Sequence, residues 1–152
     1  MTPQTPELPG PDPLLDAEVA SQIPFLVARA RRRVHSHSTA ALAGLDLKLR
    51  HFAVLSLICS GAQPTQRELG EFLDLDPSQI VALVDSLEER GAVRRETDPR
   101  DRRSKIVVPT ESGHDLHEQA AALTRASEET VLQTLSPRER RQLRALLQKV
   151  AF

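Results

Sequence analysis

The sequence predicts a mainly α-helical fold that contains one small β-hairpin, and three observations lead to this prediction. Apolar residues recur at the i, i+3 and i+4 spacing of amphipathic helices along most of the 152-residue chain. Two such stretches, between residues 65 and 91, are joined by a turn of only three or four residues. A basic segment that contains a proline then lies between two short apolar runs, as in a hairpin with a projecting tip. Together, these features predict a winged helix-turn-helix, a shape that fits DNA.

The composition limits the classes of protein to which the chain can belong. Its length is that of a single domain with a sizeable core. The net charge of −1 conceals a division, because residues 1–24 carry a net charge of −4 and residues 25–152 a net charge of +3. The single cysteine excludes an internal disulfide, and we recognise neither a membrane-spanning run nor a signal peptide, so a cytoplasmic protein is expected. The absence of Trp and Tyr disfavours stacking on single-stranded bases.

The N-terminal part of the chain is predicted to contain an arm and a long helix. Residues 1–15 are rich in proline, which predicts a flexible arm. A helix is expected from about Asp16 to Leu42, with a kink or a new start at Pro24, because proline cannot donate the helical hydrogen bond. Its basic cluster consists of Arg29, Arg31, Arg32 and Arg33. Either a solvated face or long-range attraction of phosphates explains this cluster.

A second helix is predicted from about Lys48 to Ser60, and it is apolar on most of its sides. It should therefore be buried beneath the helix-turn-helix, and Cys59 at its end is expected to be a packing residue. The first helix of the helix-turn-helix begins at Thr65, because Thr65 and Glu68 form a T-x-x-E capping box. In such a box, each of the two side chains satisfies a free backbone N–H of the first helical turn.

The second helix of the pair has the features of a recognition helix. Asp76 supplies an N-cap, Pro77 the first helical position, and Gly91 the stop. Its apolar face comprises Ile80, Leu83, Val84 and Leu87. Its opposite face carries the short side chains of Ser78, Gln79, Ala82, Asp85 and Ser86. We expect Ser78 and Gln79 to reach base edges and phosphates in the major groove, while a plain helix-start role for both residues stays open.

A hairpin wing is predicted directly after this helix. Val93 begins one strand, and residues 106–108 supply its partner. The segment from Arg90 to Lys105 holds seven basic and three acidic residues, a local charge of +4. A cationic tip held between two apolar strands beside a recognition helix is expected to contact phosphates and a narrow minor groove.

These motifs, in this order, resemble those of the MarR family of bacterial winged-helix transcription regulators. The most specific part of the resemblance is the wing sequence D-P-R-D-R-R at residues 98–103, followed by T-E-S-G at residues 110–113. The pattern of helices around these motifs is similar over roughly residues 16–150. The resemblance implies a bacterial transcription regulator that binds DNA as a dimer.

The resemblance also implies roles for individual side chains. At the wing tip, Arg103 would enter the minor groove, and Asp101 would brace it. Arg100 and Arg102 would lie on or near the DNA backbone. Ala82 and Leu83 stand where many relatives carry Thr, Asn or Arg, so direct base readout is expected to be sparse, with more of the specificity in DNA shape. The predicted DNA-binding residues are Thr65, Gln66, Pro77, Ser78, Gln79, Ala82, Asp85, Arg94, Arg100, Asp101, Arg102, Arg103 and Lys105.

Two further helices are predicted after the wing. One begins at Thr110 and runs to about Leu135, and an almost direct connection leads to the other, which a capping box of Ser136 and Glu139 opens. His114 and His117 lie on one face of the first of these helices. No clear ligand set stands beside them, so we favour a structural or solvent role over a metal site.

The division of the chain follows from these elements. Residues 48–113 are predicted to form the DNA-binding lobe of a single domain over residues 16–152. The apolar faces of the helices at 16–44 and 114–152 exceed what the lobe can cover, so we expect them to form the interface of a homodimer. The resemblance implies the same arrangement, with the first and last helices interlocked across a two-fold axis.

The predicted function is therefore that of a sequence-specific regulator that binds double-stranded DNA. Its operator should be a pseudo-palindrome with half-sites about one helical turn, roughly 34–36 Å, apart. We expect a repressor of its own and neighbouring genes that a small effector releases, and the resemblance implies an aromatic, anionic effector. No cofactor, no resident metal and no membrane contact are expected. The effector is expected at the junction between the dimerisation helices and the DNA-binding lobe, lined by the segments His35–Leu45 and Lys48–Phe52, and its individual ligand residues stay unassigned.

Two alternatives stay open. A regulator of the same fold could respond to oxidants or metals through Cys59, His114 or His117. A winged helix could also bind protein, although such a module needs an exposed apolar patch and has no use for the arginine-rich wing. An enzyme is disfavoured, because the chain has no Ser-His-Asp spacing, no glycine-rich phosphate loop and no cluster of metal ligands.

Overall fold

The computed structural model describes residues 13–152, so most of the predicted arm at residues 1–15 lies outside the described residues. Two 3-10 turns come first, at Pro13–Asp16 and Glu18–Ser21. The regular elements are α1 (Ile23–Leu42), α2 (Leu49–Ile58), α3 (Gln66–Leu73), α4 (Pro77–Glu89), β1 (Val93–Thr97), β2 (Lys105–Pro109), α5 (Glu111–Val131) and α6 (Pro137–Ala151). The fold is thus mainly helical with one hairpin, as predicted. In the part of the chain that the structure describes, no helix has the length and apolarity that a membrane span requires.

The first helix begins later than predicted. α1 starts at Ile23, with Pro24 in its first turn, and not at Asp16. The ring of a proline clashes with the carbonyl four residues earlier in a helix, so the residues before Pro24 cannot continue α1 and form 3-10 turns instead. The predicted restart at Pro24 is confirmed. At the other end, a 3-10 turn at Ala43–Leu45 leads to Asp46, whose φ of 48° places it in the left-handed region.

The caps predicted for the helix-turn-helix are present. Glu68 N donates to Thr65 Oγ1 at 3.2 Å, and Thr65 N donates to Glu68 Oε2 at 2.7 Å. The hydrogen bonds that Thr65 N and Thr65 Oγ1 donate to Glu68 Oε2 hold the pKa of the Glu68 carboxyl below its ordinary value. Asp74, with a φ of 51°, ends α3, and the turn leads directly to Asp76, whose N donates to Gln79 Oε1 at 3.2 Å. The start of α4 is thereby fixed by its own first residues.

The wing is an antiparallel hairpin that is joined to the start of α3. Val93 pairs with Pro109 at its base, and Thr97 pairs with Lys105 near its tip. The free edge of β2 is also used, because Val107 N donates to Pro64 O at 2.8 Å and residues 65 and 106 form a bridge. Motion of the wing relative to the helix-turn-helix is therefore restrained from both of its sides.

A close backbone contact sets the start of α5. Thr110 Oγ1 donates to Gly91 O at 2.6 Å and accepts from Gly113 N at 3.0 Å. A Cβ atom on Gly113 would lie 1.9 Å from Ala92 O, so no residue other than glycine fits without a shift of backbone. The T-x-x-G motif therefore fastens α5 to the segment between α4 and β1.

The core lies in the lobe, under the helix-turn-helix. Its largest fully buried side chains include Leu55, Ile58, Leu69, Ile80, Leu87 and Val107. The apolar face predicted for α4 is buried, as is the inner face of α2. α5 packs along α1 and connects the lobe to the outer helices.

The last two helices differ from the prediction at their junction. α5 ends at Val131, before the predicted Leu135, and five residues separate it from α6. Leu135 N donates to Leu132 O at 2.9 Å, so the chain tightens into a turn before Pro137 can start a new helix. The capping box at Ser136 and Glu139 is confirmed, with Ser136 N donating to Glu139 Oε2 at 2.8 Å.

Candidate nucleic-acid interface

The outer face of α4 presents small and short side chains to solvent. Pro77, Ser78 and Ala82 are exposed, and Gln79 is half-buried at the helix start. On the other side of α4, Ile80 and Val84 are fully buried. The buried face of α4 is thus anchored in the core, while its exposed face carries only small side chains, which allows another molecule to approach closely.

A single arginine joins the wing to both helices of the helix-turn-helix. From β1, Arg95 Nη2 contacts Asp85 Oδ1 at 2.5 Å, and its Nε donates to Gln66 Oε1 at 2.6 Å. Its Nη1 donates to Glu88, whose other oxygen accepts from the backbone N of Arg95 at 3.0 Å. The Arg95 side chain is only 25% exposed. Burial opposes its charge, but the two carboxylates outweigh burial and raise the pKa of Arg95.

This network changes the interpretation of two predicted DNA contacts. The side chains of Gln66 and Asp85 are engaged with Arg95, so they are arranged to hold the wing and not left free for bases. The carboxylates of Asp85 and Glu88 would repel phosphates if they were uncompensated. Arg95 compensates both of them and holds the wing against α3 and α4.

A buried carboxylate organises the wing tip. The Asp98 side chain is 5% exposed, and Arg100 grips it with Nε at 3.0 Å from Oδ1 and Nη2 at 2.9 Å from Oδ2. This guanidinium holds the pKa of the Asp98 carboxyl below its ordinary value. Asp98 N donates to Ser104 O at 3.0 Å, and Arg103 N donates to Asp101 Oδ1 at 3.0 Å. The loop at 98–104 is closed by its own contacts.

The basic residues of the wing fall into two groups. Arg94 pairs with Glu96 at 2.6 Å, and Lys105 donates to Thr97 at 3.0 Å. Arg100 is held by Asp98. Among residues 13–152, the exposed guanidinium groups of Arg102 and Arg103 have no hydrogen-bond or ion-pair partner. These two groups are the cations that the wing tip offers to a polyanion.

Arg95 is not among the residues predicted to bind DNA, although the sequence contains a signal for it. Adjacent residues of a strand face opposite sides, so one arginine of the Arg94–Arg95 pair had to face the lobe. Asp85 and Glu88 stand three residues apart, which places two carboxylates on one face of α4. The arginine of β1 that faces the lobe is therefore the expected partner of these two carboxylates.

The joint between α1 and α2, at residues 43–52, is hydrogen-bonded to the C-terminal end of α4. Arg90 donates to the backbone oxygen atoms of Leu45, at 2.7 Å, and Asp46, at 3.0 Å. His51 lies close by, and its Nδ1 is buried without a partner among the described residues. Burial, with the charges of Lys48 and Arg90, lowers the pKa of His51. This joint belongs to the region in which sequence reasoning expects the effector.

The groups considered for redox or metal sensing have ordinary packing contacts. Cys59 is half-buried with Sγ 3.9 Å from Gly113 O, and burial raises the pKa of its thiol, which favours the unreactive protonated form. The His117 ring stacks on Phe52, with centroids 6.0 Å apart, while His114 is exposed. Within the described part of the chain, no three His, Cys, Asp or Glu side chains are gathered as metal ligands would be.

Comparison with known proteins identifies relatives for almost the whole chain. The MarR family model matches residues 45–104. CouR from Rhodococcus jostii RHA1, crystallised with p-coumaroyl-CoA, is 38% identical, with a TM-score of 0.82 over 90% of this chain and 96% of that chain. A MarR-family transcriptional regulator from Rhodococcus sp. RHA1 is 39% identical, with a TM-score of 0.80 over 86% and 92% of the two chains.

A mycobacterial repressor is a more distant relative. The transcriptional repressor Rv2887 from Mycobacterium tuberculosis is 27% identical over 83% of this chain and 91% of its own length. Its structure in complex with salicylic acid has a TM-score of 0.71 over 86% of this chain and 96% of that chain. These relatives are transcriptional regulators.

Proposed function

Because this chain belongs to the MarR family of winged helix-turn-helix transcriptional regulators, we propose that it is a homodimeric repressor released by an aromatic, anionic effector. Its operator is a pseudo-palindrome near its own and neighbouring genes, and it acts in the cytoplasm, where bacterial DNA lies. The observation that carries the proposal is the wing. The guanidinium groups of Arg102 and Arg103, which have no partner among residues 13–152, are exposed on a loop closed by a buried carboxylate, and Arg95 ties that wing to the recognition helix.

The phosphate contacts of this interface set its expected behaviour in solution. Arg102 and Arg103 are free to replace counterions on DNA, and a dimer presents two copies of each. The exposed side chains of α4 are short and mostly uncharged, so DNA shape is expected to contribute more to specificity than bidentate base contacts. Binding should therefore weaken steeply with salt, while specificity persists.

Binding to DNA is tested by fluorescence anisotropy with the duplex upstream of the protein's own gene. A scrambled duplex of equal length, at the same salt concentration, is the competitor. We expect a preference of about 10³-fold or more for the upstream duplex, and a fall in affinity with rising salt. Absence of binding to either duplex at low salt would refute the DNA-binding function and favour the protein-interaction alternative.

Homodimerisation is proposed because the outer helices leave apolar side chains uncovered. Ile23 on α1 is 76% exposed, and Val150 on α6 is 88% exposed. Leu146 and Leu147 are about half exposed on the same face of α6. Exposed apolar surface of this extent is characteristic of an interface, and a second copy offers the same helices for interlocking.

Replacing Leu147 with glutamate is expected to shift the protein from dimer to monomer, because a charge would enter the apolar face of α6. Sedimentation velocity should show a particle of 16.8 kDa in place of one of twice that mass. Operator affinity should fall as dimerisation is lost, since a monomer reaches only one half-site. The control Gln148→Glu adds the same charge outside the stripe. A wild-type protein that sediments as a monomer at all concentrations would refute the dimer.

The effector class is inferred from ligands of the two relatives and from the fold. p-Coumaroyl-CoA in the CouR structure and salicylic acid in the Rv2887 structure both combine an aromatic ring with negative charge. In this chain, the joint of α1 and α2 at residues 43–52 offers a location, because Arg90 connects it to the recognition helix. A ligand that favours one position of this joint shifts the spacing of the recognition helices.

A further inference from the structure

The end of α6 returns to the helix-turn-helix through an aromatic contact. Phe152 directly follows α6, and its ring stacks on that of Phe72 in α3, with centroids 5.8 Å apart and an angle of 28° between the ring planes. Phe72 is 59% exposed and Phe152 is 89% exposed, so neither ring belongs to the core. The contact joins a helix that is proposed for dimerisation to the lobe that is proposed to bind DNA.

The N-terminal half of α6 is attached elsewhere, at the end of α5. Arg144 Nη2 contacts Glu128 Oε1 at 2.9 Å, and Arg140 Nε donates to Leu135 O at 3.0 Å. α5 has 21 residues and is therefore about 31 Å long, and α6 has 15 residues and is about 22 Å long. α5 leads away from the lobe and α6 returns to it, so the stacked rings close a triangle on the lobe. We call the stacked pair the aromatic brace.

On α6, the aromatic brace lies away from the surface that a second copy would cover. Phe152 N donates to Gln148 O at 3.1 Å, so the helical geometry continues to this residue. At 100° per residue, Phe152 is rotated by about 120–160° from the exposed apolar residues of α6, which are Leu146, Leu147 and Val150. Dimerisation through those residues therefore leaves the aromatic brace in place.

On α3, the aromatic brace lies on the side away from the recognition helix. Gly70 faces α4, because a Cβ atom at this position would lie 3.5 Å from Ile80 Cγ1. Phe72 is two residues further along the helix and is rotated by about 200°, which places its ring on the opposite side of α3. The main packing partners of α3 are α4 and β2, both within the lobe. The aromatic brace therefore supports α3 from the outer helices without covering α4.

We propose that the aromatic brace fixes the orientation of the helix-turn-helix relative to the dimerisation helices, so that Phe72 and Phe152 set the half-site spacing that the dimer accepts. This inference rests on the proposed function. The lobe can still rotate about its attachments to α1 and α5, and a further attachment at α3 restricts that rotation. Because both rings are exposed, the stack opens and closes without disturbing the core. Opening lowers the fraction of dimers with the correct spacing, and the apparent operator affinity falls with that fraction.

The distance between the two recognition helices gives the first test on the full-length protein. A spin label is placed at Ser86→Cys, which is exposed on α4, in a Cys59→Ser background that has no other cysteine. Pulsed electron spin resonance then measures the distance distribution in the dimer without DNA. We expect the distribution to be at least about twofold broader in Phe152→Ala and in Phe72→Ala than in the parent protein. Phe152→Tyr keeps the ring and should retain the narrow distribution.

Operator affinity gives the second test, by fluorescence anisotropy. The duplexes are the native operator and two derivatives with one base pair inserted or removed between the half-sites. Phe152→Ala and Phe72→Ala should each bind the native operator about fivefold more weakly than wild type and the two derivatives within about twofold of it. The double variant should be no weaker than either single variant, because both changes remove the same contact. Equal losses on all three duplexes, or additive losses in the double variant, would overturn the aromatic brace.

The proposed function and the aromatic brace fail in different ways. A wild-type protein that sediments as a monomer, or that does not bind the operator, would overturn the proposed function. A dimer that binds the operator and has the same distance distribution with and without Phe152→Ala would overturn the aromatic brace alone. Dissociation of the dimer in Phe152→Ala but not in Phe72→Ala would also overturn it, because Phe152 would then belong to the dimer interface.

Discussion

Replacing Gly113 with alanine is expected to destabilise the protein by about 3 kcal/mol, although the same change in an ordinary helix is stabilising. The added Cβ would lie 1.9 Å from Ala92 O, which is backbone and cannot rotate away. Relief requires α5 to move off the segment before β1, which breaks the contacts of Thr110 with Gly91 and Gly113. Urea unfolding at one fixed protein concentration measures the change, because unfolding of a dimer depends on concentration.

Gly44→Ala is the matched control for this experiment. A Cβ at Gly44 would meet nothing within 4 Å, and its φ is not positive. The control should therefore be neutral or stabilise the protein by up to about 1 kcal/mol, through the reduced freedom of the unfolded chain. A loss below about 1 kcal/mol in Gly113→Ala would mean that α5 yields easily, contrary to the close packing of interiors.

Replacing Arg95 with alanine is expected to lower operator affinity about 100-fold, since it leaves Asp85 and Glu88 as uncompensated negative charges at the proposed DNA-binding surface. The wing would also lose its attachment to α3 through Gln66. The loss of stability should be smaller, about 1–2 kcal/mol, because the carboxylates are 49% and 39% exposed and water screens the pair. Anisotropy titrations and urea unfolding measure the two effects separately.

Three further variants distinguish positioning from simple charge loss. Arg94→Ala removes the same charge from the same strand, but its pair with Glu96 is exposed, so a much smaller effect on operator affinity is expected. Arg95→Lys keeps the charge without the fork and should fall between wild type and Arg95→Ala. Adding Asp85→Asn and Glu88→Gln to Arg95→Ala should restore part of the affinity. Equal losses in Arg94→Ala and Arg95→Ala would refute the positioning role.

Local signals in the sequence predicted most of the fold. The capping boxes at Thr65 and Ser136 depend on residues three positions apart, so the sequence alone defines where those helices begin. The start of α1 was misplaced because the apolar pattern continues through Pro24 while the backbone hydrogen bonds cannot.

The candidate site was less predictable, because its contacts join separate segments. Arg95 meets Gln66 across 29 residues and Asp85 across 10 residues, so local patterns indicate an inward arginine and two carboxylates on one face of α4 but not the contacts that join them. The family resemblance pointed to the wing tip, and Arg102 and Arg103 are indeed exposed there. Their contacts with DNA stay a prediction. The charge of α1 was visible in the sequence, whereas its exposure is a property of the fold.

The two hydrogen bonds from Arg90 to the joint fix the C-terminal end of α4, so any rotation of α4 is about that end. α4 has 13 residues and is therefore about 20 Å long. With its far end tied to the carbonyl groups at residues 45 and 46, a rotation of about 10° would move its N-terminus by about 3.5 Å. That displacement equals one base-pair step of about 3.4 Å. Such a rotation would therefore move the end of α4 that is proposed to enter the major groove by a whole step of DNA register.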